Sequence, residues 1–176
     1  MKPSQILLVI LSVGFASAFP GNIAAQQPQA IPTIASEVDR EVTAIEKQVL
    51  DAAEAMPEEK YNFSPENLQL AGSDYKGVRS FALQLKHIAA SNYFIWTGVT
   101  GEKVPEGLES NGPAALKSKA EIIQFVKESF ALGHRAAAML TTENLVQPLK
   151  NGRTRLYLAT VGVAHAYDHY GQMVEY

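Results

Sequence analysis

Apolar residues recur at three- and four-residue steps from Ile34 to Met56, through Val38, Val42, Ile45, Val49 and Ala52. Steps of that size line up as one stripe on a helix, whose turn holds about 3.6 residues, and scatter over both faces of a strand. Pro57 has no backbone donor to continue the pattern. The spacing therefore predicts a first helix of about six turns beginning near Thr33.

Three further stretches meet the same test. One runs from about Gly77 to Trp96, with Val78, Phe81, Leu85, Ile88, Asn92 and Trp96 on its inward arc. Another opens at Ser118-Lys119-Ala120-Glu121, where a serine hydroxyl and a glutamate carboxylate can satisfy the free amides of a helix start. Its buried face reads as Ile122, Phe125, Val126, Ser129, Phe130, Ala136, Ala137 and Leu140. The last begins near Thr154, after the turn Asn151-Gly152, and runs to Tyr176. Between helices one and two, Pro65 and Gly72 break the pattern, and Tyr61 and Phe63 are expected to tuck against the helices. Residues 98–117 hold four glycines and two prolines and read as a second long connection. No segment alternates with period two for long enough to make a strand. The expected fold is all-α, an antiparallel four-helix bundle with long connections between helices 1 and 2 and between helices 2 and 3.

Ahead of the bundle, Lys2, the apolar run Ile6 to Leu11 and Ala16-Ser17-Ala18 read as a secretory signal peptide over residues 1–18, with a second cleavage point as late as residue 25. The run is shorter than the roughly 20 residues of a membrane span, so no span is expected in the mature form. Residues 19–32 carry three prolines and no periodicity, the composition of a disordered leader, which leaves 33–176 as the bundle domain. The chain has no cysteine, so neither disulfides nor a lipidated cysteine is available. Lys and Arg total 15 against 18 Asp and Glu, without a basic stripe, which argues against nucleic acid as a partner.

Against this background the last helix is unusual, because its stripe is polar. His165 and His169 lie four residues apart, about 40° from each other around the axis, so both imidazoles leave one face. Gln172 and Tyr176 continue the stripe, whereas Asp168 diverges by about 60° or more and reads as facing water. Two such histidines grip a metal ion, and a third ligand from another helix would complete a facial site with open positions. His87, on helix two, is the candidate. Spacing alone leaves a plainer reading open, since single histidines are more often packed or hydrogen-bonded than ligating. His134 reads as a boundary residue of helix three, and Tyr61, Tyr93 and Trp96 as packing. Other metal plans fail: His165 to His169 has Asp where inverted zinc peptidases have Glu, with only Glu175 downstream as an acidic ligand. Paired Glu-x-x-His segments for two irons and a Cys-x-x-Cys-His haem attachment are missing too.

Four stretches, in order, resemble the DinB-like (YfiT-like) family of metal-binding four-helix bundles over residues 36–176. They are Ala55-Met56-Pro57-Glu58-Glu59-Lys60-Tyr61, Leu85-Lys86-His87-Ile88-Ala89, Ser118-Lys119, and Val163-Ala164-His165 with His169-Tyr170-Gly171-Gln172 and Tyr176. The resemblance implies a divalent metal ion (zinc, nickel, iron or manganese) held by one histidine of the second helix and two of the last, which are His87, His165 and His169 here. It also implies a small-molecule substrate and a homodimer; members of the family usually continue a little beyond the position of Tyr176. The family includes thiol-dependent transferases and proposed metal-dependent hydrolases. Three neutral imidazoles leave an ion its full charge, which acidifies water or a thiol. Low-molecular-weight thiols are mainly cytoplasmic, and a signal peptide leads away from them. The reading is thus an exported, periplasmic or extracellular metal-dependent hydrolase. Its alternatives are a thiol-dependent S-transferase of the same family and a noncatalytic metal- or small-ligand-binding bundle.

Overall fold

The computed structural model describes residues 31–176, so the expected signal peptide and nearly all of the leader lie outside the described residues. Four helices follow: α1 (Ile34–Ala55), α2 (Phe81–Thr100), α3 (Lys119–Ala138) and α4 (Arg155–Met173). No strand occurs among the described residues, where one isolated bridge joins Pro148 to Thr154. No described helix is long and apolar enough to cross a membrane.

Local chemistry sets the helix ends. Thr33 caps α1 by accepting from the Ser36 amide, and α1 stops before Pro57. Ser118 and Glu121 form the expected capping box of α3. Thr154 caps α4 by accepting from the Tyr157 amide. Helix α2 starts later than the periodicity suggests, because Gly77 adopts a left-handed φ of 78° and Ser80 is the cap. Val78 consequently lies outside the helix and is exposed. The first turn of α2 is instead tied to the preceding connection, the Phe81 and Ala82 amides donating to the Phe63 and Tyr61 carbonyls at 3.0 and 2.8 Å. At its other end α2 runs on to Thr100 and closes at Gly101.

Around the bundle, α1 packs on α3 and α4, and α2 also packs on α3 and α4. Contacts fix the directions. Lys119, opening α3, donates to the Glu54 and Met56 carbonyls, while His134 near its end meets Asp39, so α1 and α3 are antiparallel. Gly98 lies against Leu158, and His87 lies beside His165 and His169, so α2 and α4 are antiparallel too. By contrast Tyr93 stacks on Phe125 and Trp96 lies against Gly133, which makes α2 and α3 parallel. Residues 101–118 must therefore return along the whole of α2.

The core is formed by Val42, Ile45 and Val49 of α1, Leu85, Ile88 and Trp96 of α2, Val126 and Phe130 of α3, and Leu158 and Ala166 of α4. Of the expected α3 face, Phe125 is only partly buried. Tyr61 is buried, its hydroxyl donating to the Ala53 carbonyl at 2.7 Å. Trp96 fills the centre because two helices present glycine to it. A Cβ at Gly162 would come within 2.5 Å of its ring, and one at Gly133 within 3.2 Å. Since α2 is buried on most of its circumference, the expected inward arc was too narrow.

Candidate metal centre

The antiparallel pairing of α2 and α4 sets the beginning of one beside the end of the other. His87, in the second turn of α2, thereby meets His165 and His169. The ring centroids are 5.1 Å apart for His87 and His165, 4.5 Å for His87 and His169, and 4.4 Å for His165 and His169. One ligand nitrogen from each lies within 4.8 Å of the others, close to the reach of two metal–nitrogen bonds of about 2.1 Å each. His169 is buried, at 7% exposure, while His87 and His165 are half-buried.

Hydrogen bonds decide which nitrogen faces the centre. His87 Nδ1 lies 2.6 Å from the Ser110 carbonyl oxygen, so it carries the proton and donates. His169 Nδ1 faces two amide oxygens, Gln84 Oε1 at 3.1 Å and Gln172 Oε1 at 3.2 Å, and must donate as well. Both rings therefore keep the Nε2 lone pair for a ligand. The amides are themselves tied together. Gln84 Nε2 donates to Gln172 Oε1 at 2.8 Å, and Gln172 Nε2 donates to Asp168 Oδ2 at 3.0 Å. Gln172 thus holds the His169 ring, as its position on the polar stripe suggested. Tyr176 takes a neighbouring role by donating to the Arg79 carbonyl. Asp168 is exposed, as expected, but is engaged through Gln172.

Burial pushes the His165 imidazolium down to about 4, helped by the other two histidines. Burial also lowers His87 and His169. All three rings are neutral near pH 7 and offer lone pairs rather than positive charge. The residues fit the implied group: three neutral nitrogen donors, two of them with the tautomer fixed, suit a borderline divalent ion.

Some participants had no signal in the periodicity. Gln84 is only 4% exposed, and an amide three residues before His87, on the same side of the helix, was the clue available. Lys86 is 5% exposed; its ammonium donates to the Pro113 carbonyl at 2.9 Å, and burial lowers its pKa. Together with the bond from His87 to Ser110, this fastens the returning connection over the start of α2. His134 takes no part. It bridges Asp39 Oδ1 and Glu46 Oε2 of α1 at 2.6 and 2.9 Å.

A family model described as the DinB superfamily matches residues 41–173, a span that includes all three histidines. No curated protein and no solved structure matches the chain.

Proposed function

The chain belongs to the DinB superfamily, and from that premise we propose that it is an exported protein that binds a divalent ion through His87, His165 and His169 and hydrolyses a small molecule. The observation that carries the reading is the convergence of three neutral imidazoles from two helices on a face that is partly open. Bound there, a divalent cation supplies Lewis acidity to a water or carbonyl oxygen that reaches it. The three imidazoles hold it, and Ser110, Gln84 and Gln172 keep two of the rings in the ligating tautomer. The open side admits substrate. Asp168, the exposed neighbour of His169, is the candidate to accept the proton that hydrolysis releases. Thiol transfer suits the chain less, since it has no cysteine and residues 1–18 read as an export signal away from small thiols.

The test is elemental analysis of the purified protein with a panel of ester, lactone and amide hydrolyses, with and without chelator. The expected result is stoichiometric metal and hydrolysis that chelator abolishes, both lost in the His165→Ala/His169→Ala variant. Stoichiometric metal retained by that variant would refute the ligand set. Metal without hydrolysis would leave a binding protein.

A further inference from the structure

Arg79 lies just before the serine that caps α2, the helix that carries His87. Its Nε donates to Asn111 Oδ1 at 2.8 Å, in the same returning connection whose Ser110 carbonyl takes the proton of His87. Its backbone carbonyl accepts from the Tyr176 hydroxyl. The backbone is therefore tied to Tyr176, and the half-buried side chain is held through Nε. Among the described residues its two terminal nitrogens make no hydrogen bond, and no carboxylate pairs with it. Asn111 follows Ser110, so the bond from Arg79 and the bond from His87 end on neighbouring residues of the returning connection.

A guanidinium fixed through Nε with its outer edge free presents two parallel N–H donors, the fork that matches a two-oxygen anion. In solution such a group is well hydrated. Near a cluster that would gather a dipositive ion it adds a second cation, and the neighbouring carboxylate of Asp168 is already bonded to Gln172. Positive charge in that excess favours an anionic ligand. We infer that Arg79 clamps a carboxylate of the substrate while the group to be hydrolysed sits at the three histidines. The substrate class is a small carboxylic acid bearing an ester, lactone or amide bond. This rests on the metal-site reading above and adds the substrate's charge to it.

The test loads the full-length protein with cobalt(II) and follows its visible absorption during titration with acetate, malonate, succinate and glutarate. Acetate has one carboxylate for the ion; the others have a second for Arg79. At least one dicarboxylate is expected to bind on the order of tenfold more tightly than acetate. In Arg79→Met that advantage disappears, with helicity and cobalt stoichiometry unchanged. Arg79→Lys, which keeps the charge but not the fork, retains part of it. Equal binding of acetate and every dicarboxylate by the parent protein would overturn the inference. So would an advantage that persists in Arg79→Met, since it would report chelation of the ion by both carboxylates. Failure to take up stoichiometric cobalt would overturn the metal-site reading and this inference with it, and the cobalt spectrum separates that failure from the others.

Discussion

A histidine becomes a dependable ligand when something other than the metal decides its tautomer. Gln84 and Gln172 decide it for His169, and the Ser110 carbonyl decides it for His87. Gln84 is the more buried amide and the only one of the two on α2, so it also sets the spacing between α2 and the His169 ring. Replacing it by leucine keeps the volume and removes the acceptor. Gln84→Leu is expected to lower metal affinity about 10- to 100-fold with little change in helicity, as measured by competition with a chromophoric chelator. An unchanged affinity would mean that Gln172 alone fixes the ring. At this scale the sequence was informative about which histidines come together and about Gln172, and silent about Gln84 and Ser110. Four-residue spacing displays His165 and His169 on one face, whereas the acceptor for His87 comes from residue 110 in a connection with no period to read.

Between elements, the apolar stripes made α1 and α3 legible because a stripe registers directly which face is buried, whereas α4 was read from the turn Asn151-Gly152 before it and the polar stripe along it. They were less use for α2, which is buried nearly all round and so has no single stripe to find. His134 shows a different limit. Its place at the edge of the α3 face was correctly read as a boundary, yet its partners Asp39 and Glu46 lie on α1 and are visible only once the helices are packed. Burial alone would lower its pKa, but the bonds to Glu46 and Asp39 outweigh that and raise it. Both ring nitrogens face carboxylates, and both donate only in the imidazolium form. The clamp therefore contributes fully below the unfolded value of about 6.5 and fades as pH rises through the higher folded value. His134→Ala is expected to cost roughly 1 kcal/mol at pH 5.5 and less at pH 8.5, the pair being partly solvated. Urea titrations at the two pH values measure the difference. A cost that is equal at both, or larger at alkaline pH, would show that the charge of His134 plays no part.

For the whole molecule, periodicity says how many helices there are but not which way each one runs. The parallel pairing of α2 and α3 has a trace only in loop length: α2 is 20 residues, about 30 Å, and the connection of residues 101–118 is long enough to run back along it. That return brings Ser110 and Asn111 over the cluster, so the topology builds part of the site. It also bears on what a metal does for stability. The cluster joins α2 to α4 alone, and those helices already meet through Trp96 on Gly162 and Leu158 on Gly98, in an apolar core built from other side chains. The bundle should then fold without the ion, unlike domains in which metal replaces a core. Bound metal adds stability only by mass action, about 2.7 kcal/mol at a free concentration 100 times Kd. For a bundle of this size that corresponds to a rise in Tm of about 5–10 °C. Circular dichroism melts with chelator and with added zinc or nickel should show full helicity in both, the shift in the parent protein, and none in His165→Ala/His169→Ala. Helicity lost on chelation would make the ion a structural tie between α2 and α4 rather than the working part of an open site.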